Sequence, residues 1–199
     1  MSSTIAIVLS YLIGSISFSV VLAKLLKGID IRQHGSGNAG ATNTLRVLGK
    51  GPAIMVLVLD ILKGGVAIWL GVWLGNGSEW IPPLCGLAAI IGHNWPIYFR
   101  FRGGKGIATT IGVMVTLSFL PALYAGIIAI LSIVLTRYVS LGSLIFVFLT
   151  PIFLGFLQPI NAVFWTSVVI CLFAFLRHRS NIVKLVKGRE NKIGSKGGK

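Results

Sequence analysis

The number of membrane spans in this chain depends on residues 107–136, which read IATTIGVMVTLSFLPALYAGIIAILSIVLT. These 30 residues contain no charged side chain. Because a spanning helix needs about 20 apolar residues, the stretch predicts either one long tilted helix or two short helices that break near residues 118–121. The two alternatives put the rest of the chain on opposite sides of a membrane.

The whole chain is strongly apolar. Of its 199 residues, 55% are hydrophobic and only 11% are charged, and the mean hydropathy is +0.89. A soluble domain of this size does not need so much apolar surface, so the composition predicts an all-α integral membrane protein. We expect one domain over residues 1–199, with a disordered tail from about residue 193. Cys85 and Cys171 both lie in apolar stretches, which argues against a disulfide or a zinc site.

Other apolar stretches flank residues 107–136. They cover residues 5–26, 52–74, 80–99 and 138–176. The last has 39 residues, enough for two spans with a turn at Gln158-Pro159. The first lacks a preceding basic segment, so we interpret it as a membrane span and not as a cleaved signal peptide.

The distribution of positive charge decides between the two alternatives for residues 107–136. The chain has 18 Lys and Arg against four Asp and Glu, for a net charge of +14. If the stretch forms two helices, every cation except Lys63 falls on one side of the membrane. One helix would separate the C-terminal cations from the others, against the preference of Lys and Arg for cytoplasmic loops. We therefore predict seven transmembrane helices, with the N-terminus outside and the C-terminus in the cytoplasm.

Three polar segments interrupt the apolar chain. We call them the first island (residues 35–43, GSGNAGATN), the second island (residues 92–106, GHNWPIYFRFRGGKG) and the third island (residues 177–190, RHRSNIVKLVKGRE). In the seven-span topology all three face the cytoplasm and could form one site. The basic excess then has two interpretations, positive-inside bias alone or an additional preference for anionic partners, and neither requires nucleic acid.

The first two islands have the composition of anion-binding loops. Glycine backbone amides together with Lys and Arg are what phosphate oxygens need. In the first island the candidate ligands are the glycines and neutral donors, followed by a cation: Gly35, Ser36, Gly37, Asn38, Gly40, Thr42, Asn43 and Arg46. In the second island they are Gly103, Gly104, Lys105 and Gly106, directly before a predicted helix at Ile107. The alternatives are a flexible connection for the first and a plain basic turn for the second, which does not match a nucleotide P-loop.

The remaining polar residues allow a structural as well as a functional interpretation. His178 and Asn181 of the third island lie three residues apart, on one face of any helix there. We expect Glu190 and His93 to be structural. Asp60 and Lys63 form a predicted neutralising pair within a span. No His is followed five residues later by Asp, and few carboxylates are available, so neither a His-Asp acyltransferase dyad nor a metal site is expected.

Taken together, the islands resemble the three motifs of the acyl-phosphate:glycerol-3-phosphate acyltransferase family, the PlsY type, in order and spacing over the whole chain. The resemblance implies transfer of an acyl group from acyl phosphate to the 1-hydroxyl of sn-glycerol 3-phosphate, giving 1-acylglycerol 3-phosphate and phosphate. It implies no cofactor, coenzyme A or metal. It also implies that five residues act in catalysis: Ser36, Arg46, Lys105, His178 and Asn181.

By the same resemblance, the enzyme lies in a bacterial inner membrane, catalyses the first acylation of phospholipid synthesis and has an active site that faces the cytoplasm. Its partners would be the two substrates, membrane lipids and a soluble acyl-phosphate synthase. The residues alone leave three other functions open. These are an organic-anion transporter, a head-group phosphotransferase and a purely structural membrane protein.

Overall fold

The computed structural model describes residues 1–194, and the regular structure within them is helical. The α-helices are α1 (Ser2–Gly14), α2 (Phe18–Lys27), α3 (Ala41–Leu48), α4 (Lys50–Leu74), α5 (Ile81–Asn94), α6 (Ile107–Leu117), α7 (Phe119–Thr136), α8 (Val139–Leu157), α9 (Ala162–Arg177) and α10 (Arg179–Val186). Short 3-10 helices cover Ile31–Gln33 and Ile97–Phe99. The all-α prediction is confirmed.

Four segments of the described chain are long and apolar enough to cross a membrane. They are Ser2–Lys27, which combines α1 and α2, and the helices α4, α7 and α8. A fifth is obtained if α9 and α10, which meet at a bend of 64°, count as one span. Helices α5 and α6 have only 14 and 11 residues, short of the roughly 20 that a full span requires. The seven-span topology and its orientation therefore stay predictions.

Residues 107–136 form two helices, as the charge distribution predicted. Helix α6 ends at Leu117, α7 begins at Phe119, and Ser118 between them is extended, with φ −158° and ψ 91°. Pro121 follows in the first turn of α7, where its missing N–H removes no intrahelical hydrogen bond. The turn at Gln158-Pro159 is also present, because α8 ends at Leu157 and Gln158 is extended before the proline.

The chain divides into two compact units, residues 1–117 and residues 118–199. In the first unit the helices pack through glycines. A methyl group at Gly14 would overlap the backbone of Ala89, and one at Gly112 would overlap the backbone of Ile61. Such close backbone contact is typical of helix packing in membranes, where dispersion and not water exclusion drives association. It holds α1 against α5, and α6 against α4.

The second unit contains α7 to α10. Asn161 caps α9, since its side chain accepts hydrogen bonds from the backbone N–H groups of Val163 and Phe164. After α10 the chain returns to α7, where the Ile193 N–H donates to the Arg137 carbonyl over 2.8 Å. The predicted disordered tail falls largely on residues 195–199, which lie outside the described residues.

Candidate active site

The first island is a tight loop built around one buried amide. Gly35 and Gly37 have φ of +62° and +73°, backbone conformations that favour glycine. The Asn43 side chain is fully buried. Its Oδ1 accepts from the Ser36 N–H over 2.8 Å, and its Nδ2 donates to the carbonyls of Ile31 (3.2 Å) and His34 (3.0 Å). The sequence suggested Asn43 as a phosphate ligand, whereas in the structure its side-chain amide is hydrogen-bonded to the backbone of the loop.

The tip of this loop and the following helix present exposed donors. Ser36 and Gly37 are exposed, and Asn38 and Thr42 are half-buried. Arg46 lies one turn after Asn43 on α3 and is also exposed. Within residues 1–194 its guanidinium makes no hydrogen bond or ion pair to the protein, so its five donors can serve a ligand.

The second island leads from the end of α5 to the start of α6. Arg100, Phe101 and Gly106 all have positive φ, of 55°, 57° and 81°. The loop thereby turns back so that the Gly104 N–H donates to the His93 carbonyl over 3.1 Å. Helix α6 then begins at residue 107, and the N–H groups of its first turn have no partner within the helix. Lys105, which is half-buried, lies two residues before the first residue of α6, close to this electropositive helix end.

Two glycines of this loop stand where a side chain does not fit. A methyl group at Gly103 would overlap the His93 carbonyl oxygen, and one at Gly104 would overlap His93 Nε2. The same position at Gly104 also lies against the carbonyl oxygen of Ala39, a residue of the first island. The first and second islands are therefore in direct contact, which a shared site would require.

Arg32, three residues before the first island, connects that part of the chain to the second island. Its guanidinium forms a 2.7 Å ion pair with Asp30 and donates to the Phe99 carbonyl over 2.8 Å. The hydrogen bonds with Arg32 lower the pKa of Asp30 and raise that of Arg32 itself. Sequence reasoning missed Arg32, and its only local signal was an acid two residues before it.

A buried polar cluster lies behind the second island. Lys63 Nζ is 2.7 Å from Asp60 Oδ1, 3.0 Å from His93 Nδ1 and 2.8 Å from the Ile16 carbonyl oxygen. All three side chains are at most 5% exposed. Asn94, also missed by sequence reasoning, is 1% exposed, and its Oδ1 would lie 2.9 Å from a methyl group at Gly106.

The third island belongs to the second unit. His178 is 2% exposed and lies at the bend between α9 and α10, with its Nδ1 2.8 Å from the Ala174 carbonyl oxygen. Because a carbonyl only accepts, Nδ1 carries a proton. Asn181 Nδ2 and Ser140 Oγ both donate to Glu190 Oε1, over 2.7 and 2.8 Å. The expectation that this island shares a pocket with the other two stays a prediction.

Comparison with known proteins identifies the family. A family model described as glycerol-3-phosphate acyltransferase matches residues 4–188. The chain is 58% identical over 200 residues to a glycerol-3-phosphate acyltransferase of Shouchella clausii, with 98% of each chain covered. It is also 58% identical over 193 residues to that of Halalkalibacterium halodurans, covering 94% of this chain and 93% of the relative.

Solved structures agree with this assignment. The chain is similar to PlsY, an integral membrane glycerol 3-phosphate acyltransferase, in its glycerol 3-phosphate form, with a TM-score of 0.92 and 38% identity. The lysophosphatidic acid form of PlsY gives a TM-score of 0.90, and both comparisons cover 98% of this chain and 97% of the other. The chain belongs to the glycerol-3-phosphate acyltransferase family, and it is an integral membrane acyltransferase of phospholipid synthesis.

Proposed function

We propose that the protein transfers a fatty acyl group from acyl phosphate to the 1-hydroxyl of sn-glycerol 3-phosphate, releasing 1-acylglycerol 3-phosphate and inorganic phosphate. One observation carries the proposal, namely two anion-binding loops in direct contact. The loop with Ser36 and the exposed Arg46 packs against the loop of Gly104 and Lys105 through Ala39. Both proposed substrates carry a phosphate, so adjacent anion sites are what their reaction requires.

The chemistry needs no nucleophile from the protein. Acyl phosphate is a mixed anhydride with a good leaving group. The glycerol hydroxyl oxygen forms a bond to the acyl carbon, and the bond between that carbon and the phosphate oxygen breaks. The departing phosphate takes the hydroxyl proton, which balances the step. The protein then contributes mainly by holding both reactants in attack geometry, an effect worth about 7–11 kcal/mol in well-oriented systems.

We assign roles to the candidate residues on this basis. Arg46 and Lys105 bind phosphate oxygens and neutralise the charge that develops on the leaving group. Ser36 is exposed at the loop tip and would orient a hydroxyl. His178 and Asn181 are proposed to do the same from the third island. With a proton on Nδ1, a neutral His178 has Nε2 as its acceptor.

The proposal includes a topology. Seven spans, an outside N-terminus and a cytoplasmic C-terminus would place all three islands on the inner face of a bacterial plasma membrane. Acyl phosphate would then be supplied from the cytoplasm by a soluble synthase. Cysteines introduced at positions 36, 105 and 180, the last an exposed position two residues after the buried His178, should react with a membrane-impermeant maleimide in inside-out vesicles only. Labelling of any of them from outside intact cells would refute this topology.

The activity is tested with purified protein, palmitoyl phosphate and glycerol 3-phosphate, by measuring phosphate release and the lipid product. Arg46→Ala and Lys105→Ala should each abolish turnover or raise a substrate KM at least about tenfold, the cost of one charge-assisted hydrogen bond. Lys50→Ala removes an exposed cation from the start of α4 and serves as the matched control. Near-normal kinetics of both site variants would contradict the proposal, and so would transfer from palmitoyl-coenzyme A with none from palmitoyl phosphate.

A further inference from the structure

The Lys63 ammonium is surrounded by three acceptors. These are Asp60 Oδ1 at 2.7 Å, the Ile16 carbonyl at 2.8 Å and His93 Nδ1 at 3.0 Å. A lysine ammonium has three N–H donors and no acceptor; it donates to the Ile16 carbonyl and contacts His93 Nδ1, while Asp60 is its ion-pair partner. The ionised Asp60 supplies the counter-charge for an ammonium whose side chain is only 3% exposed.

Two groups face Nδ1 of His93, the Lys63 ammonium at 3.0 Å and Asp60 Oδ1 at 3.5 Å. We assign Nδ1 as the acceptor of the shorter contact, because an ammonium can only donate, and a neutral imidazole then carries its proton on Nε2. Nε2 faces the loop of residues 103–106, since a methyl group at Gly104 would overlap it. The His93 carbonyl also accepts from the Gly104 N–H, over 3.1 Å. His93 therefore contacts this loop with both its ring and its backbone.

Lys63 also connects this contact to the first span. Helix α1 ends at Gly14 and α2 begins at Phe18, so residues 15–17 interrupt the helix. The Ile16 carbonyl lies in this break and accepts from Lys63. An ion pair that only neutralised charge in the membrane would need Asp60 and Lys63 alone. The third contact, to a histidine that touches the loop, indicates a further role.

We propose that Lys63 and His93 are positioning residues for the anion-binding loop. Lys63 holds the His93 ring with its Nε2–H towards Gly104, and His93 in turn holds the loop so that Lys105 and the first turn of α6 face a phosphate. This inference rests on the proposed function of that loop as a phosphate site. His93 is 5% exposed and acts through the loop, without touching the substrate.

Two substitutions separate the two contacts of the His93 ring. In His93→Asn the new side chain reaches the position of Nδ1 but not that of Nε2, so it keeps the contact to Lys63 and loses the contact to the loop. In His93→Gln the new side chain reaches the position of Nε2, so it keeps the contact to the loop and leaves one Lys63 proton unsatisfied. Asn should raise the KM of one phosphate-bearing substrate about tenfold, the effect of one net hydrogen bond, with little change in unfolding temperature. Gln should keep KM within about twofold and lower the unfolding temperature.

If Lys63 and His93 were purely structural, KM would instead rise in each variant in step with the fall in its unfolding temperature. Cys85→Ala provides the control, because Cys85 is fully buried on α5 about two turns before His93. It should lower the unfolding temperature and leave KM unchanged. The inference is overturned if His93→Asn has a wild-type KM, or if His93→Gln is as impaired in KM as His93→Asn.

Nitrogen-15 NMR tests the tautomer directly, and the chain has only three histidines to resolve. We expect an unprotonated Nδ1 and a protonated Nε2 for His93, and a changed Nδ1 shift in Lys63→Met. A protonated Nδ1 in the wild-type protein would refute the inference. Kinetics of Lys105→Ala distinguish failure of the positioning role from failure of the proposed function of the loop. If that variant loses activity while His93→Asn does not change KM, only the positioning role fails, whereas normal kinetics of Lys105→Ala overturn both.

Discussion

Replacement of Asn43 by alanine should act by destabilising the first island, and not by removing a direct contact to a ligand. The side chain makes three hydrogen bonds, of 2.8, 3.2 and 3.0 Å, to the backbone of Ser36, Ile31 and His34. At about 0.5–1.5 kcal/mol net for each bond, their loss lowers the free energy of unfolding by roughly 2–4 kcal/mol. For a chain of this length, each 1 kcal/mol corresponds to about 2–4 °C in unfolding temperature. Activity should fall with stability, because the Ser36 N–H loses its partner.

Two further variants sharpen this test. Asn43→Asp keeps an acceptor for Ser36 but turns a carboxylate oxygen towards two carbonyls, so it should be at least as unstable as Asn43→Ala. Asn38→Ala, in the same loop, removes a half-buried amide whose side chain makes no hydrogen bond within residues 1–194, and its stability should change by less than about 0.5 kcal/mol.

The assay combines unfolding in detergent, followed by tryptophan fluorescence, with phosphate release at saturating substrate. If Asn43→Ala unfolds at the wild-type temperature and yet loses activity, the reasoning is refuted. Asn43 would then bind the substrate directly, as its place in a glycine-rich island suggested.

Three other predictions concern packing and charge. Gly112→Ala should destabilise the protein by about 1–3 kcal/mol through overpacking, because its methyl group meets the backbone of α4. Gly126 has open space around it, so Gly126→Ala should be neutral or stabilising in thermal unfolding. Since Arg32 lowers the pKa of Asp30 in the folded state, the ion pair stabilises the protein above the unfolded pKa of about 3.9 and is lost as the pH falls through the folded value. The stability difference between wild type and Asp30→Asn should therefore be present at pH 7 and vanish in acid; a difference that persists at low pH would contradict this assignment. Glu190→Ala should lower the unfolding temperature, because it removes the oxygen Oε1 that accepts from both Ser140 and Asn181; an unchanged temperature would show that this contact is not structural.

Local sequence was sufficient wherever the physical cause is local. The turn before Pro159 was predictable because the residue before a proline is restricted to extended backbone. The break at Ser118 was predicted from the distribution of Lys and Arg over the whole chain, and the structure has it. The span count stays a prediction from the charge pattern. Helices α5 and α6 are shorter than the roughly 20 residues of a full span, while the distribution of Lys and Arg does not depend on helix length.

The sequence by itself determined that this is an all-helical membrane protein with glycine- and cation-rich loops that suit phosphate, because hydropathy, charge and glycine content are properties of composition and order. Only the tertiary structure decided what individual polar residues do. Asn43 and Arg46 are both polar donors near the same loop, but one is buried in backbone contacts and the other is exposed. Lys63 meets His93 and the Ile16 carbonyl across 30 and 47 residues of sequence. Those contacts depend on how glycine-lined helices pack, and no local pattern specifies them.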